Sequence, residues 1–238
     1  MQIEKNHLFE QIHKVLWEKI RSGEIVPGQR LKDIEWAQHL GVSRTPVREA
    51  MRKMQQEGVL IPLAQGGYEV RGTSRRDLIE LYRCRAALEA LATEDAVAQA
   101  GDKGVKHLER LIAQCDQAIA DGDLDAAFSL NSGFHKAILD LSGNTHLQAL
   151  LDSLQKLVFF YRSALLKMSK DDPASAALYV ERLRIKQDHH RAILDAFKAK
   201  DGARAAVLMR DHVRETAEDL LPVVPDTESV PVVEKGAA

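Results

Sequence analysis

The chain has 238 residues, of which 45% are hydrophobic and 29% are charged. This composition excludes wholesale disorder, and the length suffices for one large domain or two of ordinary size, at roughly 100–200 residues each. No apolar run approaches the ~20 residues of a membrane span, and the charged N-terminus does not resemble a signal peptide. Two isolated cysteines, Cys84 and Cys115, exclude a disulfide scaffold. We therefore expect a cytoplasmic protein with no membrane partner, in which each cysteine is a buried small hydrophobe.

The formal net charge of −2 hides an asymmetry along the chain. Residues 1–76 contain 13 Lys and Arg against 9 Asp and Glu, whereas residues 77–238 contain 20 against 26. A basic first third on an acidic remainder indicates that the N-terminal part binds a polyanion. The alternative interpretation is a solvated surface whose charge has no partner.

The first third predicts three helices followed by a β-hairpin. Apolar residues recur at helical spacing in the first segment, and Gly41 separates two shorter helical segments at a tight turn. Asp33 is a candidate N-cap for the second helix. We predict these helices at about 7–22, 33–40 and 43–57. We predict the two strands of the hairpin at 59–61 and 68–70, with a turn at 65–67.

This order of elements is typical of a winged helix-turn-helix domain. We place the domain at residues 5–73, with the helix-turn-helix at about 33–52 and the wing at 59–71. Arg44 and Arg48 lie four residues apart near the start of the third helix, so they share the face that a recognition helix inserts into the major groove.

The basic character of this helix continues beyond the two arginines. A bidentate arginine on guanine is the commonest specific base contact, which is the role that we expect for Arg44 and Arg48. Arg52 and Lys53 extend the basic surface toward phosphates. The alternative is a solvated basic face on which Glu49 pairs with Arg52 or Lys53.

From about residue 75 onward the sequence predicts only helices, which gives a mainly α fold class for the whole chain. Glycines and a proline separate Ala- and Leu-rich stretches, as expected for an all-α bundle of about six helices. We predict the helices at about 75–100, 104–120, 123–142, 146–169, 174–200 and 202–221. The bundle domain then covers 75–221, and the proline-containing segment 222–238 is predicted to be a flexible tail.

Four polar residues of the bundle have the spacing of a metal site. His190 and His212 each lie 11 residues from Asp201, at the turn between the last two helices, so an antiparallel hairpin brings them to the same height. Asn131 and His135 lie four residues apart on one face of another helix. One oxygen and three nitrogens suit Zn²⁺, Ni²⁺ or a similar divalent metal. The alternative for each histidine is a satisfied core or surface residue, and His189 faces about 100° away, so we do not count it as a ligand.

The N-terminal motifs resemble those of GntR-type bacterial transcription factors. The matching segments are SGEIVPGQRL at 22–31, GVSRTPVREA at 41–50, EG at 57–58 and GYEV at 67–70. The resemblance implies that Arg44, Thr45, Pro46 and Arg48 contact bases and phosphates and that the wing tip at Gly66 approaches the minor groove. The predicted DNA-binding residues are Ser43, Arg44, Thr45, Pro46, Arg48, Arg52 and Gly66.

The helical remainder, about 75–220, resembles the FCD-type ligand-sensing domain of the FadR-like branch of that family. The matching segments are RAALE at 85–89, FH at 134–135, GN at 143–144, HRAIL at 190–194 and MRDH at 209–212. The resemblance implies a metal held by Asn131, His135, His190 and His212, although metal-holding members commonly have Asp in place of Asn131. Arg85 is the candidate for binding a carboxylate effector, and an ion pair with Glu89 is the equally permitted alternative.

The function predicted from these features is a cytoplasmic, homodimeric, ligand-responsive transcription factor and not an enzyme. Two winged domains would bind a roughly palindromic operator, and a small organic acid in the bundle would change operator affinity. Repression is the expected mode, on grounds of the family alone. Two alternatives remain at this point: a metal-dependent enzyme that uses the His cluster, and an architectural DNA-binding protein with a purely structural bundle.

Overall fold

The computed structural model describes residues 6–21, 24–26, 28–71, 74–171 and 173–224. Two compact units divide the described chain: one contains the residues up to Asp77 together with Val224, and the other contains Leu78–Val223. The mainly helical fold class predicted from the sequence is confirmed. Within the described ranges, no helix is long and apolar enough to cross a membrane.

The N-terminal unit has three helices and a small antiparallel sheet. The elements are α1 (Asn6–Arg21), β1 (Arg30–Leu31), α2 (Asp33–Leu40), α3 (Arg44–Gln56), β2 (Leu60–Pro62) and β3 (Tyr68–Val70). Strand β3 is central and pairs with both β1 and β2. The sequence predicted the β2–β3 hairpin but not β1, because two residues are too short to form an alternating pattern.

The core of this unit forms where α1 and α3 pack together. Ile12, Leu16 and Ile20 are buried on α1, whereas Leu8 and Val15, which belong to the same predicted apolar face, are exposed. Helix α3 buries one side of its surface through Val47, Ala50, Met51 and Met54. The opposite side of α3 is therefore left for solvent or a partner.

Helix α2 ends at the predicted glycine but does not begin with the predicted N-cap. Gly41 ends α2 with a φ of +66°, a left-handed conformation that favours glycine. The prediction of Asp33 as N-cap is wrong, because Lys32 occupies that position and Asp33 is the first helical residue. Ser43 is the N-cap residue of α3, but its side chain makes no capping hydrogen bond.

The second unit consists of long helices joined by short turns. Its helices are α5 (Asp102–Ala120), α6 (Leu124–Leu141), α7 (Thr145–Asp171), α8 (Pro173–Lys198) and α9 (Gly202–Leu220), together with most of α4 (Arg75–Gln99). These match the six predicted helical stretches to within a few residues. The α8–α9 turn is closed by Asp201, whose side chain accepts a hydrogen bond of 3.0 Å from the Arg204 backbone N–H.

Two further details differ from the sequence predictions. Leu221–Val223 form a short 3-10 helix and Val224 is buried, although the flexible tail was predicted to begin at residue 222. The remainder of the predicted tail, 225–238, lies outside the described residues. Cys115 is buried as expected, but the prediction for Cys84 is wrong, because Cys84 is exposed.

Candidate DNA interface and sensor site

The exposed side of α3 carries most of the residues predicted to contact DNA. Ser43, Arg44, Thr45, Arg48 and Arg52 are all exposed, because the buried residues of α3 lie on its opposite side. Pro46 is half-buried in the first turn of the helix, where the absence of its N–H breaks no helical hydrogen bond. The arrangement leaves a row of cations on one accessible helix face.

One carboxylate holds the first two arginines of this face. Asp33 Oδ2 accepts from Arg48 Nε and Nη2, each at 3.1 Å, and from Arg44 Nη2 at 3.2 Å. Although partial burial opposes ionisation, the hydrogen bonds from Arg48 and Arg44 lower the pKa of Asp33. The two arginine side chains remain 53% exposed while they are held in place. Sequence reasoning assigned Asp33 only to helix capping and missed this contact between α2 and α3.

The end of α3 is anchored to α1 by a second carboxylate. Glu57 Oε2, just beyond the helix, lies 2.7 Å from His13 Nε2 and accepts from Trp17 Nε1 at 3.2 Å. These contacts, together with the apolar core, fix the direction of the helix that presents the arginines.

The wing is a tight hairpin whose tip has two glycines in left-handed conformation. Gly66 and Gly67 have φ values of +87° and +83°, and the backbone N–H of Gly66 donates to the Leu63 carbonyl at 3.0 Å. A Cβ on Gly67 would lie 2.9 Å from the carbonyl oxygen of Leu31, so the close approach of β1 also requires glycine there. Gly66 is exposed at the tip, as its predicted role requires.

Three histidines from three helices converge inside the second unit. His190 Nε2 and His212 Nε2 lie 3.3 Å apart, and His212 Nε2 lies 3.2 Å from His135 Nε2. His190 and His212 are buried, and only 9% of the His135 side chain is exposed. The equal spacing of His190 and His212 from the α8–α9 turn accounts for their meeting. One ring nitrogen from each of the three histidines lies within 4.8 Å of the other two, so the three could bind one metal ion.

The other ring nitrogens of the cluster have partners that orient the rings. His135 Nδ1 lies 2.6 Å from Glu89 Oε2, and His190 Nδ1 lies 2.9 Å from Gln187 Oε1. Because these oxygens only accept, the two Nδ1 atoms carry protons and the Nε2 lone pairs point into the cluster. His189, which was set aside as a ligand, lies behind His212, with 3.4 Å between their Nδ1 atoms. Sequence reasoning missed Gln187, although it lies three residues before His190 on α8, a spacing that places the two side chains on one helix face.

The electrostatics of the cluster favour neutral imidazoles. Burial lowers the pKa of His135, and burial together with the neighbouring imidazoles lowers those of His190 and His212 well below the ordinary value of 6.5. Burial opposes ionisation of Glu89 as well, but Arg85 and then His135 outweigh it and lower the Glu89 pKa to about 2. At neutral pH the cluster therefore presents uncharged nitrogen donors beside an ionised carboxylate.

Asn131 supplies an unsatisfied oxygen to this region. Its side chain is buried, and Oδ1 has no hydrogen-bond partner among the described residues. Asn131, His135 and His212 line a cavity of about 40 Å³, the size of a single ion or water at about 30 Å³. Buried polar atoms normally have a partner, so this oxygen lacks one that an ion or water would supply.

The donor set fits a divalent metal. Two nitrogens bound at about 2.1 Å in tetrahedral geometry are about 3.4 Å apart, close to the separations found between the Nε2 atoms. Outer partners on the Nδ1 atoms, a carboxylate and an amide oxygen, are the usual surroundings of metal-binding histidines. The orphaned Asn131 oxygen lines the same small cavity as His135 and His212 and would be a weaker, neutral donor to such an ion.

Arg85 lies beside this cluster but is not free. It is buried, and its Nε donates to Glu89 Oε1, which is the ion pair that the sequence permitted as an alternative. Arg85, Glu89 and His135 form part of the lining of a larger cavity of about 250 Å³ between α4, α6 and α7. The predicted effector residue therefore faces a cavity of suitable size while one side of its guanidinium is already paired.

Comparison with known families assigns both parts of the chain. Residues 8–70 match the family described as bacterial regulatory proteins, gntR family, and residues 80–215 match the FCD domain. These ranges contain, respectively, the winged helix-turn-helix elements and the helices that carry the histidines.

Individual relatives match over most of the chain. An uncharacterized HTH-type transcriptional regulator of Bacillus subtilis, YdhC, is 30% identical over 211 residues, 88% of this chain and 89% of YdhC. The HTH-type transcriptional repressor GlaR of Escherichia coli is 28% identical, covering 80% of this chain and 86% of GlaR. The solved structure of E. coli McbR/YncC superposes with a TM-score of 0.71 at 25% identity, covering 90% of this chain and 97% of McbR. The chain belongs to the gntR family of bacterial transcriptional regulators and combines the family's DNA-binding domain with an FCD domain.

Proposed function

We propose that this chain is a homodimeric repressor in the bacterial cytoplasm whose operator affinity is controlled by a small organic acid bound within the FCD domain. The observation that carries this proposal is the cavity of about 250 Å³ beside the histidine cluster, with a buried arginine in its lining. An acid that binds one arrangement of the DNA-binding domains better than another shifts the population between them. Several named relatives in this family are repressors, which favours repression over activation.

A divalent metal, Zn²⁺ or Ni²⁺, completes the proposed sensor. His135, His190 and His212 would hold it, with Asn131 as a weak oxygen donor. When bound, the metal would supply a positive charge with open positions for a carboxylate oxygen. Glu89 and Gln187 keep the Nδ1 protons of two histidines in place, so their Nε2 atoms are ready to bind. Arg85 and Glu89 form an ion pair that supports the same corner of the larger cavity.

The two alternative functions have less support. The histidine cluster has no carboxylate at a spacing typical of a metalloprotease, and both family matches are to regulatory proteins. A purely structural bundle would not explain an orphaned buried oxygen beside three inward-facing imidazole nitrogens.

The proposal is tested by DNA footprinting and light scattering on the whole protein. We expect particles of about twice the 26.5 kDa chain mass and a two-fold symmetric footprint on operator DNA selected from a random pool. Adding an organic acid that binds the protein should change operator affinity by about 5–150-fold, the usual range of allosteric coupling. A monomer that protects an asymmetric site, or operator binding that is unaffected by every bound acid, would contradict the proposal.

Two arginines of α3 should have different roles: we expect Arg48 to contact a base and Arg52 to contact a phosphate. Arg48→Ala should weaken operator binding by roughly 1–3 kcal/mol and relax specificity at one base pair, because it removes a base contact. Arg52→Ala should weaken binding to operator and scrambled DNA alike and reduce the salt slope by about one unit, because it removes a phosphate contact. Gel-shift titrations on both DNAs at several salt concentrations measure this. Equal losses on the two DNAs for Arg48→Ala would exclude base reading by Arg48.

Asp33 should act as a positioning residue for both base-reading arginines. Asp33→Asn removes the carboxylate that holds Arg44 and Arg48, so the ratio of operator to scrambled affinity should fall several-fold while scrambled affinity rises. Glu35→Gln is the matched control, because it removes the same charge from an exposed residue of α2 that pairs with Lys32 instead. The control should raise affinity for both DNAs and leave the ratio unchanged. If the two variants behave alike, Asp33 contributes only its charge.

The metal part of the proposal gives a graded series of affinities. His190→Ala or His212→Ala should lower Zn²⁺ affinity by more than about 100-fold. Loss of a residue that only hydrogen-bonds a metal ligand usually costs about 10–100-fold, and loss of a ligand should cost more. Asn131→Ala should change it little, and Asn131→Asp should increase it, because an anionic oxygen replaces a neutral one. Elemental analysis of untagged protein and calorimetric titration with Zn²⁺ measure the series. Protein that cannot be loaded with Zn²⁺ or Ni²⁺ but still responds to an organic acid would falsify the metal site and leave direct effector binding in place.

A further inference from the structure

The larger cavity of the FCD domain is divided between a polar end and an apolar wall. At the polar end lie Arg85, Glu89, His135 and Arg162. The apolar wall consists of Phe128, Leu139, Leu151, Leu154 and Val158. The lining also includes the polar residues Ser129, Ser132 and Gln155 and the exposed charges of Lys136 and Asp152. A ligand must therefore satisfy charge at the polar end, and its body can pack against the apolar wall.

Arg162 of α7 is the cation of the polar end that lacks a counterion. Arg85 is paired with Glu89, whereas Arg162 donates from Nη1 to the Ser132 hydroxyl at 3.2 Å and lies over the Phe128 ring, 4.7 Å from its centroid. Among the described residues, no carboxylate pairs with Arg162. Its guanidinium thus makes one neutral hydrogen bond and one ring contact, and it retains further N–H donors.

The remaining charges of the lining leave an excess of one positive charge. Three cations, Arg85, Lys136 and Arg162, face two carboxylates, Glu89 and Asp152, in the described lining. Lys136 is exposed and pairs with Asp140, outside the cavity lining, at 2.8 Å. Asp152 is exposed as well. Without these two exposed residues, Arg85 and Arg162 face the single carboxylate of Glu89, and Glu89 pairs with Arg85, so the excess positive charge is located at Arg162. Burial lowers the pKa of Arg162 despite the opposing effects of Tyr82, Tyr179 and Glu89, so an anionic partner would favour its charged form.

The apolar wall sets the chemistry of the rest of the ligand. Leu139, Leu151 and Val158 are buried and offer no hydrogen-bond partner to a hydroxyl group. A ligand hydroxyl pressed against this wall would lose its water without replacement, at a cost of about 1–3 kcal/mol each. The volume of about 250 Å³ equals about eight waters at roughly 30 Å³ each, which suits a small acid.

We propose that the effector is a small monocarboxylate with an apolar body, whose carboxylate binds Arg162 and whose body packs against the wall formed by α6 and α7. This inference rests on the proposed regulation by an organic acid and assigns its chemical class. It also assigns carboxylate recognition to Arg162, because Glu89 already occupies Arg85. Polyhydroxylated acids, such as sugar acids, should bind more weakly, because hydroxyls pressed against this wall would have no hydrogen-bond partner there.

The test compares matched small molecules on the full-length protein by ligand-observed NMR titration. Hexanoate and phenylacetate have the proposed chemistry, hexanamide keeps the six-carbon body without the charge, and threonate keeps the carboxylate on a hydroxylated body. We expect hexanoate or phenylacetate to bind at least about tenfold more tightly than hexanamide and threonate, the effect of one buried charged hydrogen bond or a few unpaired hydroxyls.

Three variants assign the carboxylate contact to its residue. Arg162→Gln should weaken binding of the apolar acid about 10–100-fold and leave hexanamide binding unchanged, which a general loss of structure would not do. Arg162→Lys should recover part of the affinity, because it restores the charge without the two-pronged geometry. Lys136→Gln removes an exposed charge from the same cavity and should change affinity by less than about twofold.

Three results would overturn the inference in distinguishable ways. Threonate binding as tightly as hexanoate and phenylacetate would exclude the apolar body and leave regulation by an organic acid intact. Failure of all three acids to bind, with operator binding preserved, would overturn both this inference and the proposed effector class. Unchanged hexanoate affinity in Arg162→Gln would move carboxylate recognition away from Arg162.

Discussion

One buried carboxylate, Glu89, joins the two halves of the sensor. Its Oε1 accepts from Arg85, and its Oε2 lies 2.6 Å from His135 Nδ1, so one side chain fixes both a cation of the larger cavity and a ring of the histidine cluster. A buried carboxylate is tolerated only when it is paired and hydrogen-bonded, and Glu89 meets this condition on both oxygens. Replacing it would leave Arg85 buried without its counterion and His135 without the acceptor that sets its tautomer. The chemistry of the FCD domain therefore depends on this residue, although Glu89 is not itself proposed to contact metal.

The same principle operates in the DNA-binding unit, where a partly buried carboxylate holds two exposed arginines. Asp33 forms ion pairs with Arg44 and Arg48, as Glu89 pairs with two side chains in the FCD domain. The Asp33 pairs lie near the surface, where water competes and the interaction is weak. For the proposed DNA contacts of Arg44 and Arg48, a weak ion pair is suitable, because it orders the side chains without strongly opposing their release to DNA. The buried contacts of Glu89 thus fix side chains in the FCD domain, whereas the contacts of Asp33 near the surface orient two arginines that stay accessible.

The sequence predicted the parts of this structure that depend on local pattern. Helical periodicity gave the helices of both units, and equal spacing about Asp201 was enough to bring His190 and His212 to the same height. Strand β1 was missed because two residues carry no alternation, and Asp33 was misassigned because a residue at a helix start can cap or pair with equal ease. Gln187 was missed although helical spacing places it on the same face of α8 as His190. Arg162 was missed because it has no motif, and only the packing of α7 on α6 places it beside Ser132 and Phe128.

His135 lines both the small cavity beside Asn131 and the larger cavity that contains Arg162. Arg85 and Arg162 line both cavities as well, so the two sites share three side chains, and a shift of any of these side chains changes both cavities. Thermodynamic linkage then makes the two occupancies reciprocal: an acid that steadies His135 raises the affinity for the metal by the same factor by which the metal raises the affinity for the acid. Under the proposed function, the response of the protein to the acid would therefore depend on the metal, and full regulation would require both.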